Sequence, residues 1–363
     1  MPSPSLILTA NPHFIDLAWA ELARVQPAAQ PAAVLADGVW AVTAVNFFTL
    51  AEQWRQQPPI FARHICPVHL ALPIAGLAAD VPLLAEVVGT GMVAWLDGEL
   101  PFSVQTRLLA DVPYKPFDVN TAVAQAIQQQ LSAPLNVRQP VQILSIVVTA
   151  EAAYAGISLA AHNVSDWAGG MHRFARQPGQ ISRAEFKLLE ALAVFQIDLP
   201  AGGVALDLGA APGGWTRILR QKGQFVTAVD PAALHSSLYQ DKNVRHLRLT
   251  AEIYWQQPPD RFDVILNDMR LDARYSAELM AAYAPYLHRH GCALMTLKLP
   301  ESDGPRGSRQ SIIEQASAIL NPVFAIAGAR QLFHNRSEIT LHLKKSFPFT
   351  LPRFSDILME DWR

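Results

Sequence analysis

The chain has 363 residues, half of them hydrophobic and only 17% charged, with a formal net charge of −2. That length predicts two or three domains, each able to bury a core, and argues against long disorder. No apolar run reaches the ~18 residues a membrane helix needs; the best stretches, 81–96 and 147–161, are interrupted by Glu86 and Glu151. The near-neutral balance excludes a polycation that coats nucleic acid along its whole surface. Cys66 and Cys292 are too far apart in sequence for a metal motif or a disulfide framework, and the first residues lack the basic stretch of a secretory signal. The expectation is a soluble cytoplasmic protein with reduced core thiols and no metal site.

Charge becomes informative when divided. Residues 1–165 hold six Lys and Arg against eleven Asp and Glu, while the remainder carries a net charge of +3. Phosphate contacts, if any, should come from the carboxyl-terminal half.

In chain order, Ser5–Ala10 reads as a strand and Ile15–Val25 as a helix, with Leu17, Ala18, Leu22 and Ala23 at helical spacing. Gln26–Ala33 is rich in Pro and Ala and reads as a loop. Strands at Gly38–Val45 and Phe102–Leu109 follow, then a helix at Val119–Leu131 and strands at Val141–Val148 and Tyr154–Ala160. Gly169–Gln180, with two glycines at its start and Arg173 and Arg176 within it, reads as an interdomain linker that either contacts phosphate or is merely solvated.

From Ser182 the pattern changes to alternating helices and strands. Ser182-x-x-Glu185 has the form of a capping box opening a helix through Phe195. Strands are expected at Gly203–Leu208, up to Asp230, and at Phe262–Asn267, Cys292–Leu299, Phe324–Leu332 and Ile339–Lys344. Helices are expected at Trp215–Gln221, Ser276–His290 and Ser308–Leu320. Such alternation predicts a parallel sheet covered on both faces, with a ligand site at the carboxyl ends of its strands. His288 and His290 fall at the expected helix end, where imidazoles help to cap carbonyls.

The chemistry concentrates at Ala205-Leu-Asp-Leu-Gly-Ala-Ala-Pro-Gly-Gly-Trp215. A strand runs into a turn containing Gly209, Gly213 and Gly214, and a helix starts immediately afterwards. Glycine lets backbone approach a ligand, and a helix amino terminus offers unpaired N–H groups. Asp230, at the end of the next strand, is placed to accept hydrogen bonds from a ribose diol. The spacing differs from the G-x-G-x-x-G of nicotinamide enzymes, because Ala210-Ala211-Pro212 follows Gly209. Trp215 either lines this pocket or packs the helix on the sheet.

This stretch resembles the S-adenosylmethionine site of class I methyltransferases, specifically the FtsJ-type RNA ribose 2′-O-methyltransferases. Four further segments carry the resemblance: Ser182-Arg-Ala-Glu-Phe-Lys-Leu188, Leu266-Asn-Asp-Met269, Leu297-Lys-Leu-Pro300, and Arg330-Gln-Leu-Phe-His-Asn-Arg-Ser-Glu-Ile-Thr340. The resemblance covers about 169–345. It implies an α/β, Rossmann-like methyltransferase domain at 182–345 with catalytic Lys187, Asp268, Lys298 and Glu338. The implied cofactor contacts are Ser182, Asp207, Gly209, Ala210, Ala211, Pro212, Gly213, Gly214, Trp215, Asp230, Thr250 and Asp268. The wording of the last two segments, and Gly170-Met171, is closest to bacterial members that modify a cytidine of 23S rRNA, so RNA, alone or in a pre-ribosomal particle, is the implied partner.

Chemistry is consistent with those roles. A ribose hydroxyl is a poor nucleophile and needs both alignment and an acceptor for its proton. A lysine can accept it if desolvation and a second cation depress its pKa, so Lys298 is expected to be the base and Lys187 the depressing neighbour. The family usually carries an acid near the end of strand three. This chain has Thr250 there, so either backbone groups or Glu252 should hold the adenine amine.

The remaining chain resembles a ferredoxin-like subdomain (1–84) followed by a THUMP domain (85–165), a module that helps present RNA. The second match rests on Phe102-Ser-Val-Gln-Thr-Arg107, Val141-Gln-Ile-Leu-Ser-Ile146 and Ala153-Tyr-Ala-Gly-Ile-Ser158. The linker is then 166–181 and the tail 346–363. Arg306 and Arg309, after strand five, are either phosphate contacts or loop residues. Two alternatives stay open: a degenerate methyltransferase fold serving as an RNA or ribosome-assembly adaptor, and a base N-methyltransferase. Asn267-Asp-Met-Arg270 opposes the second, because those enzymes usually carry Asn/Asp-Pro-Pro-aromatic there.

Overall fold

The computed structural model describes residues 3–257, 260–304 and 307–346. It divides into two compact units, Met1–His172 and Arg173–Arg363, with the boundary inside the glycine- and arginine-bearing stretch 169–180. Arg306 and the tail from 347 onward lie outside the described residues.

The first unit opens with β1 (Leu6–Ala10), α1 (Ile15–Val25), β2 (Gln30–Ala36), β3 (Val39–Thr43), α2 (Phe47–Gln56) and β4 (Ala62–Pro67). They build an antiparallel sheet in the order β2-β3-β1-β4. Every residue of the central strand β1 is buried, as its unbroken Leu-Ile-Leu-Thr-Ala requires. The segment expected as a loop at Gln26–Ala33 instead enters β2. Pro31 is tolerated because β2 is an edge strand, where an N–H on the open side is not needed, and the register slips beside it.

β5 (Leu70–Pro73), α3 (Asp80–Leu84), β6 (Phe102–Leu108), α4 (Pro116–Gln128), β7 (Gln142–Val148) and β8 (Ala152–Leu159) complete the unit. The sheet order is β5-β8-β7-β6, with β6 and β7 parallel across the α4 crossover. This corrects the boundary expected between residues 84 and 85. β5 already pairs with β8, and α3 passes directly into a helical stretch, Ala85–Thr90. Leu84 and Val88 are fully buried with Phe102, Val123 and Ile146 in one core. Cutting at 84 would split that core.

The second unit contains α5 (Ala184–Val194), β9 (Val204–Leu208), α6 (Gly214–Gln221), β10 (Phe225–Val229), β11 (Val244–Leu247), α7 (Ala251–Gln256), β12 (Phe262–Asn267), α8 (Ala273–Tyr283), β13 (Leu287–Lys298), α9 (Arg309–Leu320), β14 (Phe324–Arg330) and β15 (Glu338–Lys345). The seven-stranded sheet runs β11-β10-β9-β12-β13-β15-β14, and the strand order reverses direction between β9 and β12. The sheet is parallel from β11 to β13, as the alternation of helices and strands predicts, and β15 is antiparallel to both neighbours. The reversal matters chemically. An antiparallel strand begins where its neighbours end, and Glu338, the first residue of β15, pairs in register with Lys298, the last of β13.

The helix expected to reach His290 stops at Tyr283, and after Ala284-Pro285-Tyr286 the chain enters β13. His288 and His290 are therefore strand residues and cap no helix. Among the described residues no helix is long and apolar enough to cross a membrane, and no cluster of possible metal ligands occurs. Both cysteines are free thiols, and burial pushes Cys66 up to about 12 and Cys292 to about 11.

Candidate active site

A cleft of roughly 1260 Å³ opens at the carboxyl edge of the seven-stranded sheet. Both sides of the strand-order reversal contribute to it, as expected for an open α/β sheet.

One end is built by the glycine turn after β9. Gly209 has φ +71°, where a side chain is strained, and a Cβ there would also collide with Met269. Asp230, just past β10, ties this turn down: its carboxylate accepts hydrogen bonds from the amides of Ala211 (3.0 Å) and Ala232 (2.8 Å). Gly209, Ala211, Asp230, Thr250 and Glu252 all line this end. Thr250 accepts a bond from the Ile253 amide (3.4 Å) and so caps α7. Glu252 accepts the Tyr275 hydroxyl hydrogen at 2.7 Å. Burial works against the Glu252 charge, but that hydrogen bond and others leave its pKa below the usual glutamate value.

Other expected cofactor residues support the turn without lining the cleft. Asp207 is 2% exposed and accepts a bond from Thr216 (2.6 Å), the third residue of α6. Burial, with the Asp268 and Asp230 charges adding, raises its pKa to about 7 despite Thr216. Trp215 packs into the core and donates to the Ala184 carbonyl (2.8 Å), so its packing role holds and its cleft-lining role does not. Gly213 and Gly214 start α6, and side chains at either would strike Leu238 or Ser182. Ala210 is a core residue, and Pro212 holds the turn through its carbonyl, which accepts from His235 N at 2.8 Å. Ser182 also departs from expectation. Its hydroxyl faces Gly214 and finds no hydrogen-bond partner, so only the glutamate half of the capping box forms. Glu185 accepts from the amides of Ile181 and Ser182 (2.6 and 3.3 Å) and pairs with Arg217 at 2.7 Å, joining α5 to α6.

The other end of the cleft is charged. Lys187 on α5, Asp268 after β12, Lys298 ending β13 and Glu338 opening β15 converge from four elements. Lys187 Nζ lies 2.6 Å from Glu338 and 3.3 Å from Asp268, and Lys298 Nζ lies 2.7 Å from Asp268. The Thr296 hydroxyl adds a bond to Asp268 at 2.8 Å. Burial opposes ionisation of both Lys187 and Asp268. The opposite charges win: Lys187 is held above the ordinary lysine value and Asp268 below the ordinary carboxylate value. One expectation changes here. Asp268 touches both ammonium groups, so repulsion between the two lysines is opposed by a carboxylate they share.

Residues 180–301 match the FtsJ-like methyltransferase family model. The chain is 36% identical over 190 residues to ribosomal RNA large subunit methyltransferase M of Alkalilimnicola ehrlichii, covering 48% of this chain and 49% of that protein. It spans about half the length of the first curated relatives it matches. The match to the protein of that name from Xylella fastidiosa strain M12 is longer, 30% identity over 306 residues, 81% of this chain and 84% of that one. The chain belongs to the ribosomal RNA large subunit methyltransferase M family. The crystal structure of TrmN from Thermus thermophilus aligns over 94% of this chain and 99% of its own, at 16% identity and a TM-score of 0.37.

The structure also brings to the cleft residues that the sequence motifs do not single out. Phe186, Phe333 and His334 line the charged end, and Tyr275 backs Glu252. Glu190, one turn beyond Lys187, is 1% exposed and accepts hydrogen bonds from the amides of Phe333 (2.7 Å) and His334 (2.9 Å). Its spacing from Lys187 was the available signal; a buried carboxylate requires partners, and none is adjacent in sequence. Arg309, weighed above as a phosphate contact, is 5% exposed, pairs with Asp303 at 3.0 Å, and belongs to the start of α9.

Proposed function

We infer that this chain transfers a methyl group from S-adenosylmethionine to a ribose 2′-oxygen of large-subunit ribosomal RNA. One observation carries the reading: two lysines and two carboxylates meet at one end of a cleft whose other end offers a glycine turn and the Asp230 carboxylate. The cofactor suits that second end. Gly209 makes the turn that lines this end, Asp230 offers oxygens to a diol, and Glu252 with Tyr275 replaces the missing acid at Thr250.

When bound, S-adenosylmethionine supplies an electrophilic methyl group. The chain does the rest. Asp268 orients Lys298, which in its neutral form takes the 2′-hydroxyl proton as the oxygen–methyl bond forms and the sulfur–methyl bond breaks. Lys187, kept charged by its two carboxylates, positions the acceptor. The substrate by family resemblance is a 23S rRNA cytidine, in free RNA or a pre-ribosomal particle, and the part of the first unit built on the β5-β8-β7-β6 sheet serves as a THUMP-like RNA-presenting module. The intact charged quartet disfavours the adaptor reading.

The test is to map ribose methylation in ribosomal RNA from cells with and without this gene. One 2′-O-methyl group should vanish with the gene and return with the wild-type copy but not with Lys298→Ala. An unchanged methylation map would remove the reading.

A further inference from the structure

We propose that Phe186 and His334 form a stacking platform for the base of an unpaired acceptor nucleotide, placing its ribose within reach of Lys298. The inference rests on the ribose-transfer reading and adds the element that grips the base.

The rings form a connected set. Phe186 and His334 lie 5.1 Å apart, and Phe174 lies 6.1 Å from the first and 5.8 Å from the second, with its plane only 16° from that of Phe186. Phe333 meets His334 edge-on at 5.0 Å. Phe186, Phe333 and His334 line the cleft and are only half-buried, so they are not simply core. Their position is also specific: Phe186 immediately precedes Lys187, and His334 lies in the loop leading to Glu338.

That loop is fixed at some expense. Burying a carboxylate is costly unless it is hydrogen-bonded, and Glu190 spends its two oxygens on the consecutive amides of the ring-bearing residues. A hydrophobic contact alone would not need such a clamp; orienting flat rings at a reaction site does. Every nucleobase has a π-face, and recognition of unpaired nucleotides commonly uses stacking on aromatic side chains. A platform of this type sets where the base lies and leaves its identity to other contacts.

The test uses a transcript of the large-subunit RNA segment carrying the methylation lost on gene deletion, with 2-aminopurine riboside at the acceptor position. Wild type should quench its fluorescence on binding. Phe186→Leu and His334→Leu should lose most of that quenching and bind the RNA about tenfold more weakly. Phe186→Trp should retain both properties. Calorimetry with S-adenosylmethionine should give wild-type affinity in every variant, which also shows that each is folded. Undiminished quenching in both leucine variants would overturn the platform. If wild type quenches and binds but transfers no methyl group to the unmodified transcript, the transferase reading fails while the base-binding site stands. If wild type does not quench at all, the platform fails independently of any transfer activity.

Discussion

A small buried site in the first unit and the cleft of the second treat their ionisable groups in opposite ways. In the first, a cavity of only about 10 Å³ lies among Thr9, His64, Cys66, Arg107 and Ser145. His64 is 3% exposed, and burial, with the nearby Arg107 charge, pushes its pKa down to about 3. In the second unit, buried charges face opposite charges around a large open cleft, and Lys187 and Asp268 stay ionised. Desolvation with no opposite charge nearby silences a group, whereas desolvation balanced by a partner keeps it charged and poised. Perturbed titration therefore identifies a reactive site only where space for a substrate comes with it.

The largest effect that could break this comparison is at Lys298. Lys298→Ala should lower single-turnover methyl transfer by roughly 10²–10⁴-fold with cofactor affinity nearly unchanged. Lys298→Arg should not rescue it, because a guanidinium cannot accept the proton. Near-normal transfer in either variant would remove Lys298 as the base.

Next comes the opposite end of the cleft. Asp230→Ala loses a charged acceptor and loosens the Ala211 turn, so calorimetry should show S-adenosylmethionine binding weaker by roughly 10–100-fold. Unchanged affinity would relocate the cofactor.

A smaller effect sharpens the contrast between the units in RNA binding. Neutralising Arg173, Arg176 and Arg183 one at a time should weaken RNA binding several-fold and flatten its salt dependence by about one unit of slope per lost phosphate contact. The comparable changes at Lys115 and Arg138, in the acidic first unit, should do less. Arg107 is a poor control, since it donates to Thr9 inside that unit at 3.0 Å. If Lys115 and Arg138 prove the more sensitive, the charge division has misplaced the RNA surface.

The smallest effects are on thermal stability, and they carry opposite signs. His64 titrates lower in the fold than its ordinary 6.5, so its contribution is present above 6.5 and is lost as pH falls toward 3. The melting temperature of His64→Leu relative to wild type should therefore rise on acidification. Asp207 titrates at about 7 rather than 3.8, so its contribution is present below 3.8 and is lost as pH rises through 7. Asp207→Asn should gain on wild type across that window and level off above it. Parallel pH trends in the two variants would contradict the opposite shifts of these two buried groups.

What the sequence determined by itself is local. The strand, glycine turn and helix from Ala205 to Gln221 are legible because backbone conformation, turn chemistry and helix start are set by neighbours in the chain. The four charged residues were legible only through resemblance, one motif at a time. Their meeting depends on tertiary structure. Glu338 reaches Lys298 because β15 runs against β13, a direction that an alternating pattern of apolar residues does not encode. Orientation was likewise beyond the sequence. Ser182 and Trp215 sit in motifs that suggest ligand contact, yet their side chains are taken up by the packing of α5 against α6. Phe186 and His334, far apart in sequence, share a surface in the fold, where a buried Glu190 ties their two segments together. Period and turn chemistry act over a few residues; pairing direction, side-chain facing and clamps across distant segments are decided only when the whole sheet closes.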